Sequence, residues 1–188
     1  MRLFIAIKLP NQIKDQIIDF QNTMREVSRG ESATCSLTNG IKWVGYENLH
    51  LTLKFLGTVD EEQVAEVTHK ISSAIHSIKP FHISLSTFGG FPNLRRPKVL
   101  WIGIKEGRQI LIEIMNRLDK ELSVMGFEIE NHNPVPHLTI GRVKKAQPIK
   151  CKEQEFESPT FLVDTIYLIK SDLTQQGPTY TDIKELKL

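Results

Sequence analysis

One short pattern, HLT followed by an aliphatic residue, occurs twice in the chain and limits the folds that the chain can adopt. It begins at His50 and again at His137, 87 positions later, each time within a segment rich in β-forming residues. Side chains at positions i and i+2 of a strand point to the same face. Each histidine therefore shares a face with the threonine two positions on, while the aliphatic residues face the opposite side. Both copies thus require a strand with one polar face and one face packed on an apolar core.

The remaining segments show either helix-like or strand-like patterns. Apolar residues recur at steps of three and four in three regions, which predicts amphipathic helices over 11–27, 60–78 and 108–125. Short apolar or alternating segments predict strands over 2–9, 41–44, 49–57, 81–88, 98–104, 137–143, 160–170 and 180–188. Because the strands mostly follow one another as hairpins, we predict an α+β fold of antiparallel sheets covered by helices on one side. One HLT copy in each half also suggests duplication into two similar lobes of a single domain, 1–188.

The composition is that of an ordinary globular protein. The chain has 188 residues, of which 40% are hydrophobic and 24% charged, and this is enough for a hydrophobic core. No apolar run approaches the roughly 20 residues of a membrane-spanning helix, and the N-terminal segment lacks a signal-peptide cleavage site. Cys35 and Cys151 show no metal or disulfide spacing, so we expect free thiols in a reducing, cytoplasmic compartment. A net charge of +2 permits a polyanionic partner but does not require one.

The repeated histidine and threonine suit acid and base chemistry on an anion. An imidazole, with an ordinary pKa of about 6.5, can give or take a proton near neutral pH. Two imidazoles that face one substrate can act as base and acid, and hydroxyls beside them can donate hydrogen bonds to its oxygens. Such a pair suits phosphoryl chemistry and requires no metal. A lone strand histidine is more often structural, so the hypothesis of an acid and base pair depends on the occurrence of two HLT motifs. The sequence shows no HExxH, P-loop or GxSxG motif that would indicate another chemistry.

Three features near the motifs each allow two interpretations. Arg142 comes five residues after the second histidine, so strict alternation turns it to the opposite face, unless Gly141 marks a bulge that turns it back. Under the same alternation Lys54 shares the face of the first histidine, where it either steers an anion or lies at the rim of the sheet, and Phe55 points into the core. The loop FPNLRRPK combines basic and aromatic residues, and it either binds a phosphate and a base or is merely solvated charge.

At these residues the chain resembles a known family, the 2H phosphoesterases, which carry two motifs of histidine, any residue, threonine or serine, and a hydrophobic residue. More narrowly, it is similar to the RNA 2′,3′-cyclic phosphodiesterases, historically called 2′-5′ RNA ligases. The resemblance covers nearly the whole chain and follows the family's order. It includes RLFIAIKLP, IKWVGYENLHLTLKFLG, FGGFPNLRRPKVLWIGI, NPVPHLTIGR and SDLTQQGPTY. Five segments in order are far more specific than two HLT triplets.

The resemblance implies a bilobal α+β fold in which two antiparallel sheets, with helices on their outer faces, flank a positive cleft about a pseudo-twofold axis. It implies hydrolysis of 2′,3′-cyclic phosphate ends of RNA to 2′-phosphates, without a metal or cofactor. His50 would be the proton donor to the departing 3′ oxygen, and His137 the proton acceptor that activates water. The substrate-binding residues would be Thr52, Thr139 and Arg142.

Several alternatives stay open at this point. The same site could ligate 2′-5′ RNA ends, since catalysis is reversible, or hydrolyse another 2′-linked or cyclic nucleotide. A non-catalytic module that binds RNA ends would keep the cleft while needing neither histidine to titrate. We expect an RNA or oligonucleotide end as the partner, no membrane association, and a monomer. The loop 28–40 is distinctive and leaves the rim of the cleft undefined.

Overall fold

The structure is a computed structural model that describes residues 1–27, 35–36, 40–129, 134–144, 150–151, 155–175 and 177–188. The α-helices in this part of the chain are α1 (Asn11–Val27), α2 (Val64–Ile75) and α3 (Arg108–Ser123). The strands in the same residues are β1 (Arg2–Lys8), β2 (Cys35–Ser36), β3 (Ile41–Trp43), β4 (His50–Thr58), β5 (Phe81–Ile83), β6 (Leu85–Phe91), β7 (Val99–Ile104), β8 (His137–Val143), β9 (Lys150–Cys151), β10 (Phe161–Val163), β11 (Thr165–Thr174) and β12 (Gly177–Lys187). Short 3-10 helices at Tyr46–Asn48 and Glu61–Gln63 precede β4 and α2.

The three predicted helices are confirmed. Helix α1 has the predicted bounds, and α3 ends two residues before the predicted limit. The predicted helix 60–78 is shorter, because Asp60 and Gln63 form a reciprocal capping box around a 3-10 turn and α2 begins only at Val64. Helices α2 and α3 pack against each other. Their apolar stripes are buried, at Val67, Ile71, Ala74, Ile75, Leu111, Ile114, Leu118 and Leu122.

The described strands form two four-stranded sheets and two smaller two-stranded ones. One large sheet has the order β12-β11-β1-β4, and the other has the order β3-β8-β7-β6. Every pairing among these strands is antiparallel. The two HLT strands, β4 and β8, thus belong to different sheets, and they lie beside each other. The predicted α+β class with antiparallel sheets is confirmed, whereas the pseudo-twofold axis and the single bilobal domain stay predictions.

The predicted strand 81–88 is wrong as a single element, because the chain changes partner at Ser84. Strand β5 pairs with β10, whereas β6 pairs with β7 in a large sheet. At the break, the carbonyl of Ser84 accepts a hydrogen bond of 2.9 Å from the backbone N–H of Lys105. The predicted strand 160–170 divides in the same way into β10 and β11, around Asp164. Apolar alternation continues through such a change of partner, so periodicity alone does not reveal it.

One hydrophobic core joins the two large sheets to the helices. The apolar residues of the HLT strands belong to it, since Leu51, Leu53, Leu138 and Ile140 are each at most 2% exposed. The histidine and threonine of each motif remain half-buried on the opposite face, as strand alternation predicts. Among the helices of the described residues, none has the length and apolar character needed to cross a membrane.

Candidate active site

Both motif histidines are anchored in the same way, by the backbone two residues before them. The Nδ1 atom of His50 lies 2.7 Å from the carbonyl oxygen of Asn48, and Nδ1 of His137 lies 2.8 Å from the carbonyl oxygen of Val135. Because a carbonyl oxygen can only accept, Nδ1 carries the proton in each of these bonds. Each ring therefore presents Nε2 for chemistry, as an acceptor when neutral and as a donor when protonated.

A β-bulge interrupts each HLT strand directly after its threonine. In β4 the register against β1 slips after Thr52, and in β8 the register against β7 slips after Thr139. The slip reverses the alternation, so the fifth residue after each histidine returns to the polar face. In β8 that residue is Arg142, which is exposed. Of the two interpretations of Arg142, the one with a bulge at Gly141 is therefore confirmed.

The bulge in β4 makes two predictions wrong. Lys54 does not share the face of His50: its side chain is 3% exposed and points to the helix layer. There its Nζ donates to the carboxylate of Asp119 on α3 and, at 2.7 Å, to the carbonyl oxygen of Glu128. Phe55, in turn, does not pack in the core but is 63% exposed and lines the cleft. One extra residue in the strand exchanges the faces of these two side chains.

Aromatic rings support the first histidine. The ring of His50 packs against Phe4, with centroids 4.9 Å apart, and meets the edge of Tyr180 at 5.2 Å. Phe4 is 3% exposed at the centre of its sheet, so it gives the imidazole a fixed surface. Burial raises the pKa of Tyr180, and the charge of Arg142 partly offsets this effect. The phenol therefore stays neutral near pH 7 and is available to donate a hydrogen bond into the cleft.

The second histidine is supported by two rings, one from Phe91 at the start of the basic loop and one from Trp101 on β7. The ring of His137 lies 4.9 Å from that of Phe91 and 6.4 Å from that of Trp101. Trp101 can adopt this position because its cross-strand partner is Gly89, where a Cβ atom would lie 2.3 Å from the indole. The loop thus contributes aromatic support for the histidine, while its two arginines are exposed.

The two HLT strands line one cleft of about 370 Å³, whose walls come from both large sheets. Its described lining consists of Lys42, Trp43, Val44, Gly45, Asn48, His50, Thr52, Phe55, Thr139, Arg142, Gly177, Pro178 and Tyr180. Four of the five predicted site residues are in this set. The fifth, His137, precedes Thr139 by two positions on the same face of β8. His132, which precedes the second motif and which we interpret as a spectator, lies outside the described residues, as does the loop 28–40 apart from residues 35, 36 and 40.

Three cleft residues were missed by sequence reasoning. Phe55 reaches the cleft only through the bulge. Tyr180 lies in the late segment SDLTQQGPTY, which resembles the family but shows no chemical pattern of its own. Lys42 becomes prominent only when β3 is placed beside β8, because it then stands opposite Arg142. Which strands pair with each other cannot be read from one sequence, so no local signal identified Lys42 as a cleft residue.

The cleft changes the protonation of the first histidine. Burial lowers the pKa of His50 below its ordinary value of 6.5, and the charges of Arg142 and Lys14 lower it further, while the hydrogen bond to Asn48 raises it. The free protein therefore holds this imidazole mostly neutral at pH 7. An anion in the cleft has the opposite effect, because it stabilises the imidazolium and offsets the charge of Arg142.

We expect an NMR titration of the free protein to give His50 a pKa below 6.5, and saturating inorganic phosphate to raise it. The cause is the negative charge brought next to an imidazole that burial and two cations keep neutral. The ring-proton signals of His69, which is exposed on α2, serve as an internal control and should be the same with and without phosphate at each pH. An unchanged or lower pKa of His50 in phosphate would mean that this ring does not face the bound anion.

Comparisons with known proteins identify the family. A family model described as the 2′-5′ RNA ligase superfamily matches residues 21–175. A Methanocaldococcus jannaschii protein named RNA 2′,3′-cyclic phosphodiesterase is 41% identical over 193 residues, covering 98% of this chain and 99% of the relative. A protein of the same name from Methanothermobacter thermautotrophicus is 33% identical, covering 100% of this chain and 99% of the relative.

Solved structures agree in fold over the same length. The Thermus thermophilus protein TT0787 matches with a TM-score of 0.80 at 25% identity, covering 100% of this chain and 98% of the other. Escherichia coli LigT complexed with 3′-AMP matches with a TM-score of 0.77 at 26% identity, covering 100% and 97%. From the family model, the full-length relatives and these folds together, the chain belongs to the 2′-5′ RNA ligase superfamily of 2H phosphoesterases.

Proposed function

We propose that the protein is an RNA 2′,3′-cyclic phosphodiesterase, which hydrolyses the cyclic phosphate at an RNA end to a 2′-phosphomonoester. One observation carries the proposal: strands from two different sheets bring His50 and both motif threonines to one cleft, and the anchored imidazole of His137 lies on the same face of β8 as Thr139. The described lining of that cleft contains two cations, Lys42 and Arg142, and no carboxylate. Relatives of that name align along the full chain, which supports the same substrate class.

In the proposed mechanism the two histidines act on opposite sides of the phosphorus atom. Nε2 of neutral His137 takes a proton from water, whose oxygen forms a new bond to phosphorus. The bond from phosphorus to the 3′ oxygen breaks, and Nε2 of protonated His50 gives its proton to that oxygen. The product keeps its phosphate on the 2′ oxygen, and each histidine ends in the protonation state in which the other began.

The remaining site residues hold the anion between the imidazoles. Thr52 and Thr139 share the strand faces of the histidines, and their hydroxyls donate to the non-bridging phosphate oxygens. Arg142, which the bulge returns to the cleft, offsets the phosphate charge. The substrate anion also raises the pKa of His50, so binding brings this histidine into the protonated form that a general acid needs.

Phe55 offers an exposed aromatic surface for the terminal base. Its ring is 63% exposed on the cleft side, and the buried ring of Phe4 lies behind it at 6.1 Å. Stacking of a base on such a ring contributes roughly 1–3 kcal/mol and depends little on which base it is. We therefore propose that Phe55 orients the terminal nucleoside without selecting strongly among the bases.

Product analysis tests the proposed function. An oligonucleotide that ends in a 2′,3′-cyclic phosphate is incubated with the protein in excess EDTA, and the end group is identified by phosphorus NMR. We expect complete conversion to a 2′-phosphate and none to a 3′-phosphate. A 3′-phosphate product would contradict the assigned geometry. Tight, salt-sensitive binding without turnover would instead identify a module that only binds RNA ends.

A further inference from the structure

We propose that Lys42 forms a second phosphate subsite in the cleft, for the internucleotide phosphate on the 5′ side of the terminal nucleotide. Through this subsite the protein favours oligonucleotide ends over nucleoside 2′,3′-cyclic phosphates. The inference rests on the proposed function, because it names the part of that substrate which the same cleft recognises.

Lys42 stands directly opposite Arg142 in the pairing of β3 with β8. Residues in register point to the same side of a sheet, and like charges in this arrangement repel each other. Both side chains are exposed, and both line the cleft. Within the described residues no carboxylate forms an ion pair with either of them. An anion relieves the repulsion when it binds, so the pair favours a ligand with more than one negative charge.

The ammonium group of Lys42 reaches from its own sheet toward the other large sheet. Its Nζ atom lies 3.5 Å from the position that a Cβ atom would take on Gly177, the first residue of β12. The positive charge thus lies in the opening between β3 and β12. Because residue 177 is a glycine, the space beside the ammonium is not filled by a side chain and is open to a ligand.

Arg142 and Lys42 lie at different distances from the reacting phosphate. The pKa of His50 is lowered mainly by burial. Among the described residues, the charges of Arg142 and Lys14 lower it further. Lys42 lies on β3, the edge strand of its sheet, whereas Arg142 lies on β8, the strand that also carries the second HLT motif. In the proposed complex Arg142 therefore stands beside the reacting phosphate, whereas Lys42 stands one strand farther out, at the edge of the sheet.

The size of the cleft suits one nucleotide, so a second phosphate binds outside the site of the terminal nucleotide. A volume of about 370 Å³ is close to the lower end for small-molecule sites, which span roughly 300–1,000 Å³, and it suits a single nucleotide. Adjacent nucleotides are joined by one charged phosphodiester. With the terminal nucleotide in the cleft, we assign the next negative charge to the exposed ammonium of Lys42, which lines the same cleft.

Two substrates separate this subsite from the reacting centre. Adenosine 2′,3′-cyclic phosphate carries only the scissile phosphate, whereas the dinucleotide ApA 2′,3′-cyclic phosphate adds one internucleotide phosphate. For Lys42→Ala we expect KM on the dinucleotide to rise about tenfold with kcat nearly unchanged. KM on adenosine 2′,3′-cyclic phosphate should change less than about twofold, and an uncharged methylphosphonate linkage in the dinucleotide should remove the difference. Lys120→Ala, which removes an exposed lysine of α3 outside the cleft lining, is the matched control.

Salt dependence gives a second readout that a structural defect would not produce. The slope of log(1/KM) against log salt on the dinucleotide should fall by about 0.7 in Lys42→Ala and stay constant in Lys120→Ala. An equal loss on both substrates, or no loss on either, would overturn the subsite and leave the proposed function intact. Failure of the unaltered protein to hydrolyse either substrate would instead overturn the proposed function.

Discussion

Replacing His50 or His137 with alanine is expected to lower kcat on a cyclic-phosphate RNA end by about 10²–10⁴-fold. Each variant loses a group that is held in place by its Nδ1 bond and that exchanges a proton in the transition state. Because the two groups act on one transition state, kcat of the double variant should be only slightly lower than kcat of the slower single variant. Steady-state kinetics of the purified variants measure these effects.

A control is needed because both rings also pack against aromatic residues. His69→Ala removes an exposed histidine from α2 and should leave kcat unchanged. Thermal unfolding of all the variants shows whether lost activity reflects lost structure. Full activity of both His50→Ala and His137→Ala would rule out the proposed acid and base pair.

The second large effect is expected in the core rather than in the cleft. Asp119→Ala should lower the free energy of unfolding by about 3–5 kcal/mol, because it leaves a buried ammonium without its anion. That ammonium belongs to Lys54, which is 3% exposed and would keep only the carbonyl of Glu128 as a partner. Urea unfolding followed by tryptophan fluorescence measures the change.

Two matched variants distinguish the cost of leaving a buried charge unpaired from the cost of losing an ion pair in general. The double variant Lys54→Met with Asp119→Leu removes both charges together and should be far less destabilised than Asp119→Ala. Lys70→Ala breaks a surface pair with Glu121, 3.8 Å apart, and should cost about 1 kcal/mol or less. A loss in Asp119→Ala no larger than that of Lys70→Ala would contradict a buried, uncompensated charge.

The helices and the faces of the motif strands could be predicted because they follow from strong periodicity. In α1 the apolar residues recur at helical spacing over 11–27, and the observed bounds are the same. In β4 and β8 the first four residues alternate cleanly between core and cleft. Such patterns are local, since each follows from the geometry of a single strand or helix. The predicted positions of Thr52 and Thr139 in the cleft depend on this alternation alone.

The faces of Lys54 and Phe55 could not be predicted, because a bulge depends on how two strands pair. In β8 the glycine at 141 gave a signal for the bulge, whereas the corresponding stretch of β4 contains no glycine until Gly57. A slip of one residue exchanges the two faces, so an alternation argument that is correct up to Thr52 fails immediately after it. The role of Lys42 depends in the same way on its pairing with Arg142 across β3 and β8.

The division of labour between the two histidines is tested most directly by a substrate whose leaving group needs no proton. In 3′-deoxyadenosine 2′-(4-nitrophenyl) phosphate, the departing 4-nitrophenolate is stable as an anion, so a general acid is dispensable while a base is still required to activate water. We predict that His50→Ala regains most of its lost activity on this substrate, whereas His137→Ala remains impaired by about 10²-fold or more. Rescue of His137→Ala without rescue of His50→Ala would contradict the assignment of His50 as the proton donor and His137 as the proton acceptor.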